Sequence, residues 1–146
     1  MNKINVTDAR KDMSTFFDSV IHEKPIVLKK RKYEAVLIEK SLLKVFLSNE
    51  KITVKTVTEN SDKVILMVPE LDIFGEAETR VDALTNLCEN LFNYAQDVYN
   101  NFMFYYYGQN IKTKLGLVFH ILLCEDFEQL KELMVFQQKK QKKTKN

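Results

Sequence analysis

Ile4-Asn5-Val6-Thr7-Asp8-Ala9-Arg10-Lys11 opens the stretch that decides the fold, which continues through Pro25-Ile26-Val27-Leu28, Lys29-Lys30-Arg31-Lys32 and Tyr33-Glu34-Ala35-Val36-Leu37-Ile38. Ile4 to Val6 reads as a short strand, after which Thr7 offers an N-cap hydroxyl to a helix. Asp8 suits the positive end of that helix. Apolar residues at Ala9, Met13, Phe16, Phe17, Val20 and Ile21 form one helical stripe, leaving Arg10, Lys11 and Ser14 facing outward. Pro25 marks entry to a second strand, Tyr33 to Ile38 makes a third, and Ser41 caps a short helix carrying Leu42, Leu43, Val45, Phe46 and Leu47. The expected order is therefore β-α-β-β-α.

Charge divides the chain more sharply than its net value of +2 suggests. Residues 1–48 carry +4, residues 49–136 carry −7, and residues 137–146 hold five lysines and no acid. Such a division fits one end built for a polyanion and a middle built for a basic partner. Four consecutive cations at Lys29 to Lys32 either meet phosphates or form a solvated turn.

At 146 residues the chain makes one domain or two small ones, and a fold of that size buries roughly 70% of the surface its unfolded chain exposes. Its 45% hydrophobic content, three Gly and two Pro fit ordered structure over most of the length. No apolar run reaches the ~20 residues of a membrane span, and the first residues lack the pattern of a signal peptide, so a cytoplasmic protein is expected. Cys88 and Cys124 have no partner at metal-ligand or redox spacing and read as small buried hydrophobes.

The run Asn5 to Arg10, with Met13, Phe16, Val20, Pro25 to Leu28 and Ala35 to Ile38, resembles the N-terminal domain of the Phd/YefM antitoxins over residues 1–48. That resemblance implies a homodimer that presents basic surfaces to operator DNA. Carried over by position, it implies Thr7, Arg10 and Lys11 as leading DNA contacts, helped by Lys29, Lys30, Arg31 and Lys32. Arg10 either reaches a base edge or phosphate, or pairs locally. One departure stands out: family members commonly place a glycine in the turn between the second and third strands, where this chain has Lys32 and Tyr33.

In residues 49–136, Ile52, Val54 and Val57 suggest a strand, Glu59 to Asp62 a turn, and Val64 to Val68 a second strand, together a β-hairpin. Thr79, with Asp82 three residues on, caps a long helix whose stripe runs from Leu84 to Tyr106. Phe102-Met103-Phe104-Tyr105-Tyr106-Tyr107 is the most unusual local composition. Phe102, Phe104, Tyr105, Tyr106 and Tyr107 either pack internally or anchor a partner. Leu115 to Leu123 and a last helix from Asp126 through Phe127, Leu130, Leu133 and Met134 complete a helical end, with His120 as a packed side chain. The tail from Gln137 to Asn146 reads as disordered and basic, adding either nonspecific DNA affinity or solubility.

Val68-Pro69-Glu70-Leu71, Gly75, Glu78-Thr79, Ala83-Leu84 and Leu91 are similar to the strand-to-helix core of HicB-type antitoxins. A Phd-like start joined to a HicB-like middle resembles antitoxins assigned to RelB/RelE-type toxin–antitoxin systems. The resemblance implies an α+β protein with a DNA-binding and dimerisation domain over 1–48, a toxin-binding or dimer-packing region over 49–136 and a basic tail over 137–146. It implies a type II antitoxin that binds a cognate, basic, RelE-like toxin and represses its own operon. The alternative is a solitary transcriptional regulator. No nucleophile, paired acid or Gly-rich loop stands in a catalytic context, so neither an enzyme nor a cofactor is expected.

Overall fold

Ile4 is the inward residue of a three-residue strand, β1 (Lys3–Asn5), in a computed structural model that describes residues 1–58, 62–108 and 110–138. The chain is mixed α+β and divides into two units, residues 1–46 and the remainder. In the first unit β1 pairs in parallel with β2 (Ile26–Lys30), which pairs antiparallel with β3 (Tyr33–Leu37). Because side chains alternate along a strand, the registers Ile4↔Leu28 and Ile26↔Leu37 put four apolar residues on one face. Helices α1 (Val6–Lys11) and α2 (Met13–His22) lay Ala9, Phe16 and Val20 on that face. A short α3 (Lys40–Phe46) follows β3.

Three local expectations change. Thr7 lies inside α1, whose N-cap is Asn5 without a side-chain hydrogen bond. The single helix breaks at Asp12, where the carboxylate accepts from the Thr15 amide at 3.1 Å and the Thr15 hydroxyl at 2.7 Å. This Asp-x-x-Thr pairing satisfies the first amides of α2 and competes with continuing α1. Glu39, not Ser41, caps α3, accepting from the Ser41 amide at 2.9 Å, the Leu42 amide at 3.0 Å and the Ser41 hydroxyl.

The break also divides the apolar stripe of the first unit. Ala9, Phe16 and Val20 are buried, whereas Met13, Phe17 and Ile21 are 52%, 53% and 39% exposed on a second stripe at i, i+4, i+8.

The second unit is built on β4 (Ile52–Thr58), β5 (Val64–Val68), β6 (Ile73–Ala77) and β7 (Met134–Phe136), in the order β6-β5-β4-β7. The β4–β5 hairpin is present, although its expected turn lies partly outside the described residues, at 59–61. Strands β6 and β7 go beyond what the sequence pattern suggests. Gly75 weakens the strand signal of β6, and Met134 continues the apolar spacing of the preceding helix. That helix, α7 (Phe127–Glu132), instead stops short. The Leu133 carbonyl then accepts from the Ile52 amide at 2.9 Å, and the Gln137 amide donates to the Val54 carbonyl at 2.9 Å, zipping β7 parallel to β4. The expected tail from Gln137 lies, over 139–146, outside the described residues.

Helix α4 (Arg80–Asn100) crosses the sheet and supplies Ala83, Leu87, Cys88, Leu91, Ala95 and Val98 to the core. Its start follows the expectation: the Thr79 hydroxyl accepts from the Asp82 amide at 3.1 Å and donates to the Asp82 carboxylate at 2.8 Å. Gly75 lets α4 approach β6 at backbone contact distance, since a Cβ there would stand 2.4 Å from the Leu87 nitrogen. Asn86 and Asn90 then bond the outer edge of β6, accepting from the Glu76 amide at 3.0 Å and donating to the Phe74 carbonyl at 2.7 Å. An edge bonded in this way is closed to further strand pairing.

After α5 (Phe102–Gly108) and a short 3₁₀ turn at Lys112–Lys114, α6 (Leu115–Leu122) buries Leu117, Val118 and Ile121. His120 packs as expected, with Nδ1 2.9 Å from the Glu50 carbonyl oxygen. Among the described residues, no helix is long and apolar enough to cross a membrane.

Candidate nucleic-acid interface and partner-binding surface

Thr7, Arg10, Lys11, Lys29, Lys30, Arg31 and Lys32 are all exposed. The register Asn5↔Lys29 ends β1 beside the outer half of the β2–β3 hairpin, so α1 starts next to the strand that carries the cations. Arg10 and Lys11 lie in the last turn of the six-residue α1. Lys11 pairs with Asp8 at 2.9 Å, and this contact raises the lysine pKa. Arg10 makes no ion pair among the described residues, and the Thr7 hydroxyl makes no hydrogen bond there.

The four consecutive cations do not form one tip. Lys29 and Lys30 belong to β2, and the closing pair Lys30↔Tyr33 leaves Arg31-Lys32 as a two-residue loop. Arg31 takes the left-handed conformation, φ 56°, at the first loop position, where hairpins of this size favour glycine. The chain thus makes the turn with arginine in that conformation. Lys32 lies 5.4 Å from the Tyr33 ring centroid.

Strand alternation separates the two lysines further. Lys30 shares the Leu28 side, which α1 and α2 cover, whereas Lys29 shares the opposite side with Lys3 and Glu34. There the Lys3 ammonium bonds Glu34 at 2.8 Å. This bond, helped by Lys29, holds the Glu34 carboxyl below its ordinary range. Lys30 thus lies on the helix-covered side of the sheet and Lys29 on the opposite side.

The aromatic run divides between inside and outside. Phe102 stacks on Tyr106 at 5.6 Å and meets Phe119 edge-on at 6.2 Å. Tyr105 packs against the core and Tyr94, and its hydroxyl donates to Asp97, which pushes the phenol pKa up. Lys112 sits 4.6 Å from the Tyr106 ring centroid. Three of the five expected contact residues are thus committed to internal packing. Phe104 and Tyr107 remain 63% and 74% exposed, joined by Met103 and, on α4, Tyr99. Tyr99, Met103 and Tyr107 recur at four-residue spacing in the sequence.

Elsewhere, Cys88 is fully buried and its thiol is pushed up to about 11, mainly by burial. No group of His, Cys, Asp or Glu is arranged to hold a metal among the described residues.

The first unit carries an exposed set of cations on α1 and the β2–β3 hairpin, and the second an exposed aromatic set on α4 and α5. Residues 1–136 match the family model described as antitoxin of toxin–antitoxin, RelE/RelB, TA system, and the chain belongs to that family. It is therefore a non-enzymatic regulatory protein whose partner is a cognate toxin. A crystal structure from Syntrophomonas wolfei subsp. wolfei, an antitoxin part of a proposed toxin/antitoxin system, is similar at a TM-score of 0.85 and 26% identity, covering 94% of this chain and 99% of that one. No curated protein matches the chain.

Proposed function

We propose that this antitoxin neutralises its toxin by direct binding through residues 49–136 and represses its own operon through residues 1–48. The observation that supports the DNA reading is the exposure of Thr7, Arg10, Lys11, Lys30 and the Arg31-Lys32 loop, all within the first unit. Lys and Arg neutralise phosphates and release counterions, while Arg also forks onto base edges in a major groove. Arg10, without an internal ion pair, leads this contact. Lys11 exchanges an exposed ion pair of small net worth for a phosphate. The first unit is of the Phd/YefM kind, and the strand-to-helix segment around Gly75 and Thr79 is of the HicB kind.

The exposed stripe Met13, Phe17 and Ile21 supports homodimerisation, because a soluble monomer gains from covering a helix-long apolar row. A twofold dimer presents two copies of the Arg10 region to a pseudo-palindromic operator. On the second unit, Phe104 and Tyr107 carry toxin contact, with Phe102, Tyr105 and Tyr106 holding them in place. The net −7 of residues 49–136 suits a basic, RelE-like toxin.

The Arg10→Ala, Lys11→Ala double variant tests the DNA assignment. Binding to the protein's own promoter should weaken, and the log–log salt slope should fall by roughly 2 per protomer, at ~0.9 for each phosphate that is no longer neutralised. Unchanged affinity and slope would remove these residues from the interface. The solitary-regulator reading is weakened by the family membership, and it leaves the outward aromatics of α5 without a use.

A further inference from the structure

The second unit carries a groove of about 460 Å³ between the latter half of α4 and the segment joining α6 to α7. Its floor is apolar: Phe92 and Phe127 stack at 5.7 Å with their planes 22° apart, flanked by Leu122 and Cys124. Asn93, Gln96, Glu125 and Asp126 form the rim, and no lining residue is cationic. Glu128 follows the lining Phe127 by one residue, and both Glu89 and Glu128 act electrostatically on the buried Cys88 thiol. The one nearby cation that acts on the same thiol, Lys131, is paired with Glu128 at 3.0 Å.

Helical periodicity puts the lining residues Phe92, Asn93 and Gln96 on the same face of α4 as Glu89 and the exposed Tyr99. An apolar floor within an acidic rim is complementary to a basic segment that presents an apolar anchor. Charge around such a seat steers the encounter and rejects acidic partners, while the anchor supplies burial.

We infer that this groove receives a basic, apolar-bearing segment of the cognate toxin, extending the contact made by α5 to a second seat. The inference rests on the proposed toxin binding and adds the place and chemistry of the contact. Asp126 does double duty there: its carboxylate accepts from the Gln129 amide at 2.8 Å, which fixes both the start of α7 and the groove wall.

Calorimetric titration of the full chain with the purified product of the neighbouring reading frame tests this. Asn93→Arg with Gln96→Arg, at two exposed α4 positions, should weaken the complex at least ~100-fold while leaving the melting temperature and promoter binding unchanged, a loss that two like-charge clashes at an interface account for. In parallel, that product should slow alkylation of the half-buried Cys124 in the unaltered chain by about tenfold or more, as burial at an interface excludes reagent. A complex of equal affinity with the double-arginine variant, together with unprotected Cys124, overturns the groove assignment and leaves toxin binding standing. Absence of any complex with the unaltered chain overturns the toxin-binding reading and the groove with it. Conversion of a dimer to a monomer by the double variant alone, read by sedimentation, overturns the assignment in favour of a second copy of this chain.

Discussion

Replacing Gly75 by alanine puts a methyl carbon 2.4 Å from the Leu87 nitrogen, 2.5 Å from the Ala83 carbonyl oxygen and 2.5 Å from the Leu87 Cβ. Two of these three atoms are helix backbone, so no side-chain rotation relieves the clash. Either α4 lifts off β6, loosening the Asn86 and Asn90 bonds to that strand, or β6 shifts in the sheet. Overpacking of this kind costs typically ~1–3 kcal/mol, and backbone contacts put it at the upper end. Alanine regains roughly 0.5–1 kcal/mol over glycine in a strand interior, leaving a net loss of about 2 kcal/mol. For a unit of about 100 residues, that lowers the melting temperature by roughly 8–16 °C. Scanning calorimetry of the full chain reads the shift. Gly108→Ala is the control, because a Cβ there meets nothing within 4 Å. A Gly75→Ala chain that melts within about 2 °C of the parent would refute the claim that backbone contact at this point sets the helix-to-sheet distance.

Thr79→Ala removes the N-cap of α4 and should cost about 1 kcal/mol in chemical denaturation, with Thr79→Ser restoring most of it. In a thiol-labelling time course near neutral pH, Cys124 should react and Cys88 should not until the chain unfolds, because burial both shields Cys88 and holds its pKa at about 11. Spectrophotometric titration should show Tyr105 ionising above the ordinary tyrosine range, and Asp97→Asn should lower that midpoint. A raised folded pKa contributes stability that is complete below the unfolded value of ~10 and is lost as pH rises through the folded value. The Tyr105 contribution should therefore fade only in alkali, and an unchanged midpoint in Asp97→Asn would remove Asp97 as its cause.

Elements with strong local signals were legible. The β2–β3 and β4–β5 hairpins follow from β-rich runs bounded by polar turns, and α4 follows from its Thr79 cap and apolar period. Caps supplied by less typical residues were not: Glu39 reaches forward over Ser41, and Asp12 interrupts a stripe that looked continuous. For the candidate sites, exposure of the cations was expected, but the division of Lys29 from Lys30 depends on strand parity, which the hairpin register sets. The aromatic run was visible by composition alone, whereas its division into packed Phe102, Tyr105 and Tyr106 and outward Phe104 and Tyr107 needed the positions of α4 and α6.

By itself, the amino-acid order determined the charge blocks, the hairpins, the long capped helix and the likeness to an antitoxin, because each rests on residues close in sequence. Tertiary structure alone decided that Met134 to Phe136 forms a strand beside Ile52 to Val54, more than eighty residues earlier in the chain. The same holds for Gly75, whose value is the space it leaves for α4. Local preference cannot specify such pairings, since the free energy that selects them is released only when distant backbone groups meet and the shared core closes.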